Sequence, residues 1–193
     1  MRGSRITTIV AVALLATAGC SSPISISNDT NQPLPPAPAP TSSAPRTNDK
    51  LVNAFDFYAR TDDDHAGYYF VSPSSSWRCV IVPRTWAGCQ ASGGGLGVTG
   101  APQTVTDDSG ESVAPNAILV RTEGAAQFAS VKAEEFKPPT GAAKTLPFDK
   151  ILAAAGFHCN VQQQAGISCV SEETNQGFTF SASGAAWQYT DVP

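Results

Sequence analysis

Four cysteines carry the sharpest chemical signal in this sequence. Cys79, Cys89, Cys159 and Cys169 form two pairs, each with nine residues between its members, and each pair opens on the same pattern: Trp77-x-Cys79-x-Ile81 and Phe157-x-Cys159-x-Val161. Side chains two apart in a strand share a face, so the aromatic ring, the sulfur and the branched side chain line up. Setting each cysteine opposite its partner in an antiparallel hairpin brings Ile81 against Ala87 and Val161 against Ile167, with turns at Pro83-Arg84-Thr85 and Gln163-Gln164-Ala165. Both registers bury apolar partners. Four cysteines allow three connectivities, and this consistency favours the two local disulfides, each contributing roughly 2 to 3 kcal/mol in the chain-entropy model. The alternative for such residues is a metal or redox centre. There is no C-x-x-C, so no metal is expected. The matched pairs are either an ancient duplication or two convergent hairpins.

Other chemistry-bearing residues are sparse. Gly95-Leu96-Gly97-Val98-Thr99-Gly100 spells G-x-G-x-x-G, but it follows Gln90-Ala91-Ser92-Gly93 and runs into Ala101-Pro102. A dinucleotide site needs a strand before that motif and a helix after it, so that backbone amides meet the pyrophosphate; no cofactor is expected. Of the two histidines, His158 should point away from the face that carries Cys159. His65 closes the acidic run Asp62-Asp63-Asp64, which reads as a solvated turn. No metalloprotease, nucleophile-elbow or calcium-loop motif occurs. The pairs Glu134-Glu135 and Glu172-Glu173 read as a helix face and a hairpin end rather than as glycosidase carboxylates. These residues assemble no catalytic site, and a non-enzymatic protein is expected. Trp77, Trp86 and Trp187 with Tyr68, Tyr69 and Tyr189 could form an aromatic platform, but Trp77 reads as core packing near the first disulfide. Trp86, set near a hairpin tip beside Arg84, is the residue expected to contact a partner, with Arg84 next to it.

The N-terminus sets the compartment. Arg2 and Arg5 precede an apolar run from Ile6 to Ala16, followed by Thr17, Ala18, Gly19 and Cys20. That run falls short of the roughly 20 apolar residues that cross a bilayer and has the layout of a secretory signal over residues 1–19. Ending in Ala-Gly-Cys, it resembles the lipobox of bacterial lipoproteins, which implies a diacylglyceryl thioether on Cys20, removal of the leader and acylation of the new N-terminus. It departs from that pattern at Thr17, where leucine is usual. The other reading is an ordinary secreted protein cut nearby, with Cys20 a stray thiol. The resemblance implies a membrane anchor at Cys20, on the outer face of the cytoplasmic membrane or in the cell envelope.

Removing the leader with its two arginines takes the formal net charge from −4 to −6, and the remaining cations are scattered singly. Nucleic-acid binding is therefore not expected. Residues 20–49 form the lipidated N-terminus and a tether: residues 21–48 hold seven of the fifteen prolines and almost no apolar side chains, too few to offset the entropy of ordering. Its PLPPAPAP stretch should prefer polyproline II, and the Asn28-Asp29-Thr30 sequon carries no weight in a bacterial lipoprotein. Residues 50–193 suit a single domain with one core. Gly and Pro supply 31 of 193 residues while charged residues make up 15%, which favours sheets over a helical bundle.

The expected fold is mainly β, α+β at the margin, with antiparallel sheets built around two disulfide-closed hairpins and one short helix. Strands are expected at Tyr68 to Val71, Trp77 to Val82, Ala117 to Arg121 and Phe178 to Ser181, the last extended by Trp187 and Tyr189 after a turn at Gly184. Residues 93–115 read as a long loop. Ala125 to Phe136 is the helix candidate, because Phe128, Val131 and Phe136 could share a face.

The order F-x-S-P-S-x-x-W-x-C, G-C-Q, P-N-A-I-x-V, L-P-F, G-F-x-C-N-V, G-I-S-C and G-F-T-F-S resembles a group of uncharacterised exported proteins and lipoproteins of actinobacteria, mycobacteria especially. The likeness spans about residues 68–190 and is most specific from Leu146 to Ser181. It implies a β-rich, disulfide-bearing envelope protein and brings no activity with it. The function expected is therefore an anchored envelope lipoprotein that binds an envelope protein, glycan or lipid. An exported hydrolase acting on envelope polymers is the alternative, and an unanchored structural protein the third.

Overall fold

The computed structural model describes residues 48–60, 66–93 and 95–193. Cys20, the leader, most of the tether, His65 and the Asp62 to Asp64 run lie outside the described residues.

Two antiparallel sheets pack face to face. The first contains β1 (Tyr58–Arg60), β2 (Ala66–Val71), β3 (Trp77–Val82) and β4 (Trp86–Ala91). A small hairpin of β5 (Val105–Thr106) and β6 (Ser112–Val113) follows, and the chain then returns as β7 (Ala117–Arg121) and β8 (Gln127–Ala129). Its strand order is β1-β2-β3-β4-β7-β8, with the short β9 (Lys144–Thr145) parallel to β2. The second sheet is a meander of β10 (Ile151–Ala154), β11 (Phe157–Gln162), β12 (Gly166–Ser171), β13 (Gly177–Ser181) and β14 (Gly184–Ala186) in sequence order. The mainly β fold and the antiparallel sheets are as expected.

Both hairpin registers match those read from the sequence. Cys79 pairs with Cys89 and Ile81 with Ala87; Cys159 pairs with Cys169 and Val161 with Ile167. The disulfides Cys79–Cys89 and Cys159–Cys169 span Cα separations of 4.0 and 4.2 Å. Each is flanked by large apolar side chains on the neighbouring strands: Phe70 and Ile118 beside the first, Leu152 and Phe178 beside the second. All four sulfurs belong to one core between the sheets, and Trp77 packs edge-on against Phe180 of the opposite sheet at 4.5 Å. The halves β2-β3-β4-β7-β8 and β10-β11-β12-β13-β14 thus repeat one plan, a five-stranded meander bridged across its second and third strands.

The helix expected over Ala125 to Phe136 does not form. Residues 127–129 pair with β7 as a strand, and only Ala133–Phe136 turns, as a single 3-10 helix. A second 3-10 turn spans Ala54–Phe57, and no α-helix occurs among the described residues. The segment after β8 is drawn across the first sheet instead, burying Phe136 completely against Val80, Trp86 and Leu119. β3, β4 and β7 are consequently covered on both faces, which accounts for their near-continuous apolar sequence.

The Gly-rich segment is structural. Leu96 and Val98 enter the core, Gly95, Gly97 and Gly100 have positive φ, and Thr99 bonds the Ala182 carbonyl through both its amide and its hydroxyl. Extension of the last strand to Tyr189 also fails: β14 ends at Ala186, and residues 188–191 cross the outer face of the second sheet. There the Asn160 amide donates to Tyr189 Oη and Thr190 O at 2.9 Å each, and Thr179 Oγ1 donates to Gln188 O at 2.8 Å. Asn160 and Ser168 are fully buried, so this strap satisfies polar groups that burial would otherwise leave costly.

Candidate binding cleft

Trp86 is the first residue of β4, opposite Val82 on one side and Arg121 on the other. Alternation along the strand sends Ala87 and Cys89 inward and the Trp86 ring outward. The ring lies next to the hairpin tip, as expected, but it is only 8% exposed, with Phe136 edge-on to it at 5.6 Å. The turn at residues 83–85 is where the sequence placed it. What covers the ring is a segment some fifty residues later, a non-local contact.

What remains open beside Trp86 is a cleft of about 740 Å³. Trp86 and Leu119 contribute apolar floor; Asp107, Asp108 and Ser109 of the β5–β6 hairpin form one wall, residues 130–133 and Glu135 the other, and Arg121 reaches in from the end of β7. Asn116 fastens the second wall. Its Nδ2 donates to Val131 O and its Oδ1 accepts from Val131 N, both at 2.9 Å, so one side chain supplies the paired bonds that a strand partner would.

The first wall is held by Asp107, whose carboxylate accepts from Ser109 Oγ at 2.6 Å, Ser109 N at 2.9 Å and Glu111 N at 3.0 Å. The bond from the Ser109 hydroxyl, followed by that from the Glu111 amide, draws its carboxyl below the ordinary value. Asp108 lies 4.0 Å from Arg121. On the covered face, burial pushes the Tyr69 phenol up, and the Glu135 carboxylate adds to the shift. The cleft therefore sets two cations, Arg121 and Lys132, against three carboxylates around an apolar floor.

Arg84 does not join this cleft. It sits exposed at the hairpin turn with φ +56, its amide donating to Ala155 O at 3.1 Å, and lines a separate groove of about 500 Å³ with Thr122, Ala155, Gly156, Glu172 and Glu173. Trp86 and Arg84, two residues apart, serve different concavities. His158 points from the face opposite Cys159, as expected, and its Nε2 lies 2.7 Å from Glu172 Oε1. The cleft hydroxyls, Ser109 and Ser130, have no histidine beside them among the described residues. No group of three or more His, Cys, Asp or Glu positioned for a metal occurs among the described residues either.

Sequence reading missed Asn116, Asp107 and Phe136 as builders of this site. Asp107-Asp108-Ser109-Gly110 is a turn signal that could have located one wall; nothing local marks the others. Fold and site together define a disulfide-bridged, two-layer antiparallel β protein with an open, mixed-charge cleft on one outer face. Comparisons of the chain with protein-family models, curated proteins and solved structures find no match.

Proposed function

We propose that this chain is a cell-envelope lipoprotein, anchored through Cys20, whose β domain is a non-enzymatic binding module that takes a polar envelope component in the Trp86 cleft. The observation that carries the binding role is the cleft: opposed charges around an apolar floor suit a ligand bearing both hydroxyl or charged groups and an apolar face. The two buried disulfides support an oxidising compartment, as do the leader and the resemblance to actinobacterial exported proteins. The test is a screen of the purified full-length protein against envelope glycans, lipids and detergent-extracted proteins. Arg121→Ala with Lys132→Ala should weaken the ligand found by tenfold or more, while His158→Ala leaves it unchanged. Equal affinity in the cleft variant would overturn the assignment. Lipid on Cys20 should appear as a mass increment on the N-terminal peptide and as partition with membranes, and Cys20→Ala should abolish both.

One observation favours the hydrolase alternative: the His158–Glu172 pair borders the Arg84 groove, and a carboxylate-oriented imidazole is a general-base arrangement. Loss of the biological role in a folded His158→Ala variant, with the cleft variant unaffected, would select it.

A further inference from the structure

We propose that the face formed by Leu51, Phe55, Tyr58 and Phe148 rests on the lipid bilayer, so that the domain is held against the membrane rather than suspended above it. This rests on the lipid-anchor reading and adds to it a second, non-covalent attachment.

Five large apolar side chains are exposed among the described residues, and four of them lie here: Phe55 at 84%, Leu51 at 44%, Tyr58 at 41% and Phe148 at 37%. The fifth, Trp187, packs edge-on against Phe128 at 5.1 Å. Phe55 lies on the 3-10 turn Ala54–Phe57, and Tyr58 follows directly as its extended C-cap and the first residue of β1. Leu51 bridges Ile151, and Lys150 Nζ donates to Asp49 O at 2.6 Å, which ties the segment holding Phe148 to the same edge. Tyr58 is braced by Tyr68 at 5.3 Å, and Asp56 by Lys144 Nζ at 3.3 Å, so the exposed rings stand on a fixed support.

The occupant follows from where the chain comes in. The described chain begins at Asn48, three residues before Leu51, and the sequence before it leads within 28 residues to Cys20. A connection of 28 residues spans at most about 100 Å even when fully extended. It keeps this edge close to the anchoring leaflet at a high effective concentration, where a weak contact suffices. A second copy fits less well. At roughly 200 Å² per large side chain the patch exposes about 400 Å², half of the roughly 800 Å² that each partner of a stable interface contributes. The charges on this edge, Lys50, Arg60, Lys144 and Lys150 against Asp49, Asp56 and Asp149, nearly balance. The attachment is therefore apolar, through interfacial aromatic side chains.

The test uses the full-length mature protein in vesicles of phosphatidylcholine, with and without phosphatidylglycerol, carrying a doxyl quencher near the headgroup. Phe55→Trp should lose at least half of its added emission, equally in both lipids, while Glu173→Trp, beyond the other end of β10, keeps its emission. Equal behaviour of the two variants overturns the proposal, as does quenching that requires phosphatidylglycerol, or self-association seen by light scattering without quenching. The mass of the N-terminal peptide is read on the same sample. An acylated protein without quenching refutes the face alone; an unacylated protein refutes the anchor and, with it, the effective concentration on which this attachment depends.

Discussion

The side chain of Asn116 and the backbone of Val131 exchange two hydrogen bonds of 2.9 Å each, fifteen residues apart in sequence. This single amide holds the segment after β8 along the rim of the Trp86 cleft. Asn116→Ala leaves a donor and an acceptor of a half-buried backbone without partners and should destabilise the protein by about 2 kcal/mol. Asn116→Asp, which retains only the acceptor, should fall between. Urea denaturation and hydrogen exchange at the Val131 amide check both, and wild-type protection of that amide in the alanine variant would refute the clamp.

Phe136→Ala should cost about 3 to 5 kcal/mol, the usual range for emptying a fully buried phenylalanine site. Because Phe136 covers Trp86, the same variant should shift the tryptophan emission to the red before any unfolding. An unshifted spectrum would mean that the ring is shielded by something else.

Gly88→Ala should destabilise by about 1 to 3 kcal/mol through overpacking. A methyl group at that position would stand 2.7 Å from Ile118 O and 2.9 Å from Leu119 Cβ, both on the adjacent strand β7. Thermal unfolding measures the loss, and a neutral result would show that β4 and β7 can separate locally.

The β5–β6 hairpin should loosen in acid. The Asp107 carboxyl is lowered by the bonds it accepts from Ser109 and Glu111. Their contribution is thus complete above the ordinary carboxylate range and disappears as pH falls through the lowered value. Amide exchange at Ser109 and Glu111, followed relative to Val80 in the core, should accelerate on that side only. Asp107→Asn should accelerate it at neutral pH.

The parts of this fold legible in the sequence are those fixed by local pattern. Strand β3 was readable to the residue, and both cysteine registers followed from period-two alternation around Trp77, Cys79 and Ile81 and around Phe157, Cys159 and Val161. The segment containing Phe128 and Phe136 misled because its apolar spacing fits a helix as well as a strand followed by a turn. Pairing of Phe128 with Ile118, together with burial of Phe136 over Trp86, outweighs helix propensity there. The cleft was illegible for the same reason: its floor, walls and clamp come from β4, β5–β6, β7 and the residues after β8, and no window of sequence holds them together. The acidic turn at Asp107 was the one local sign.

Each disulfide joins residues ten apart, and Cys159 follows Cys89 by seventy positions. For a chain threaded N-terminus first into an oxidising compartment, Cys79 and Cys89 are within reach of each other while Cys159 is still enclosed. Their thiols meet on the order of every 10 to 100 ns, so an oxidant of that compartment that takes the two electrons during delivery of the next seventy residues finds only this pair to join. Order of emergence thus favours the local connectivity to the extent that oxidation keeps pace with delivery, and it does so without any contact between the two halves.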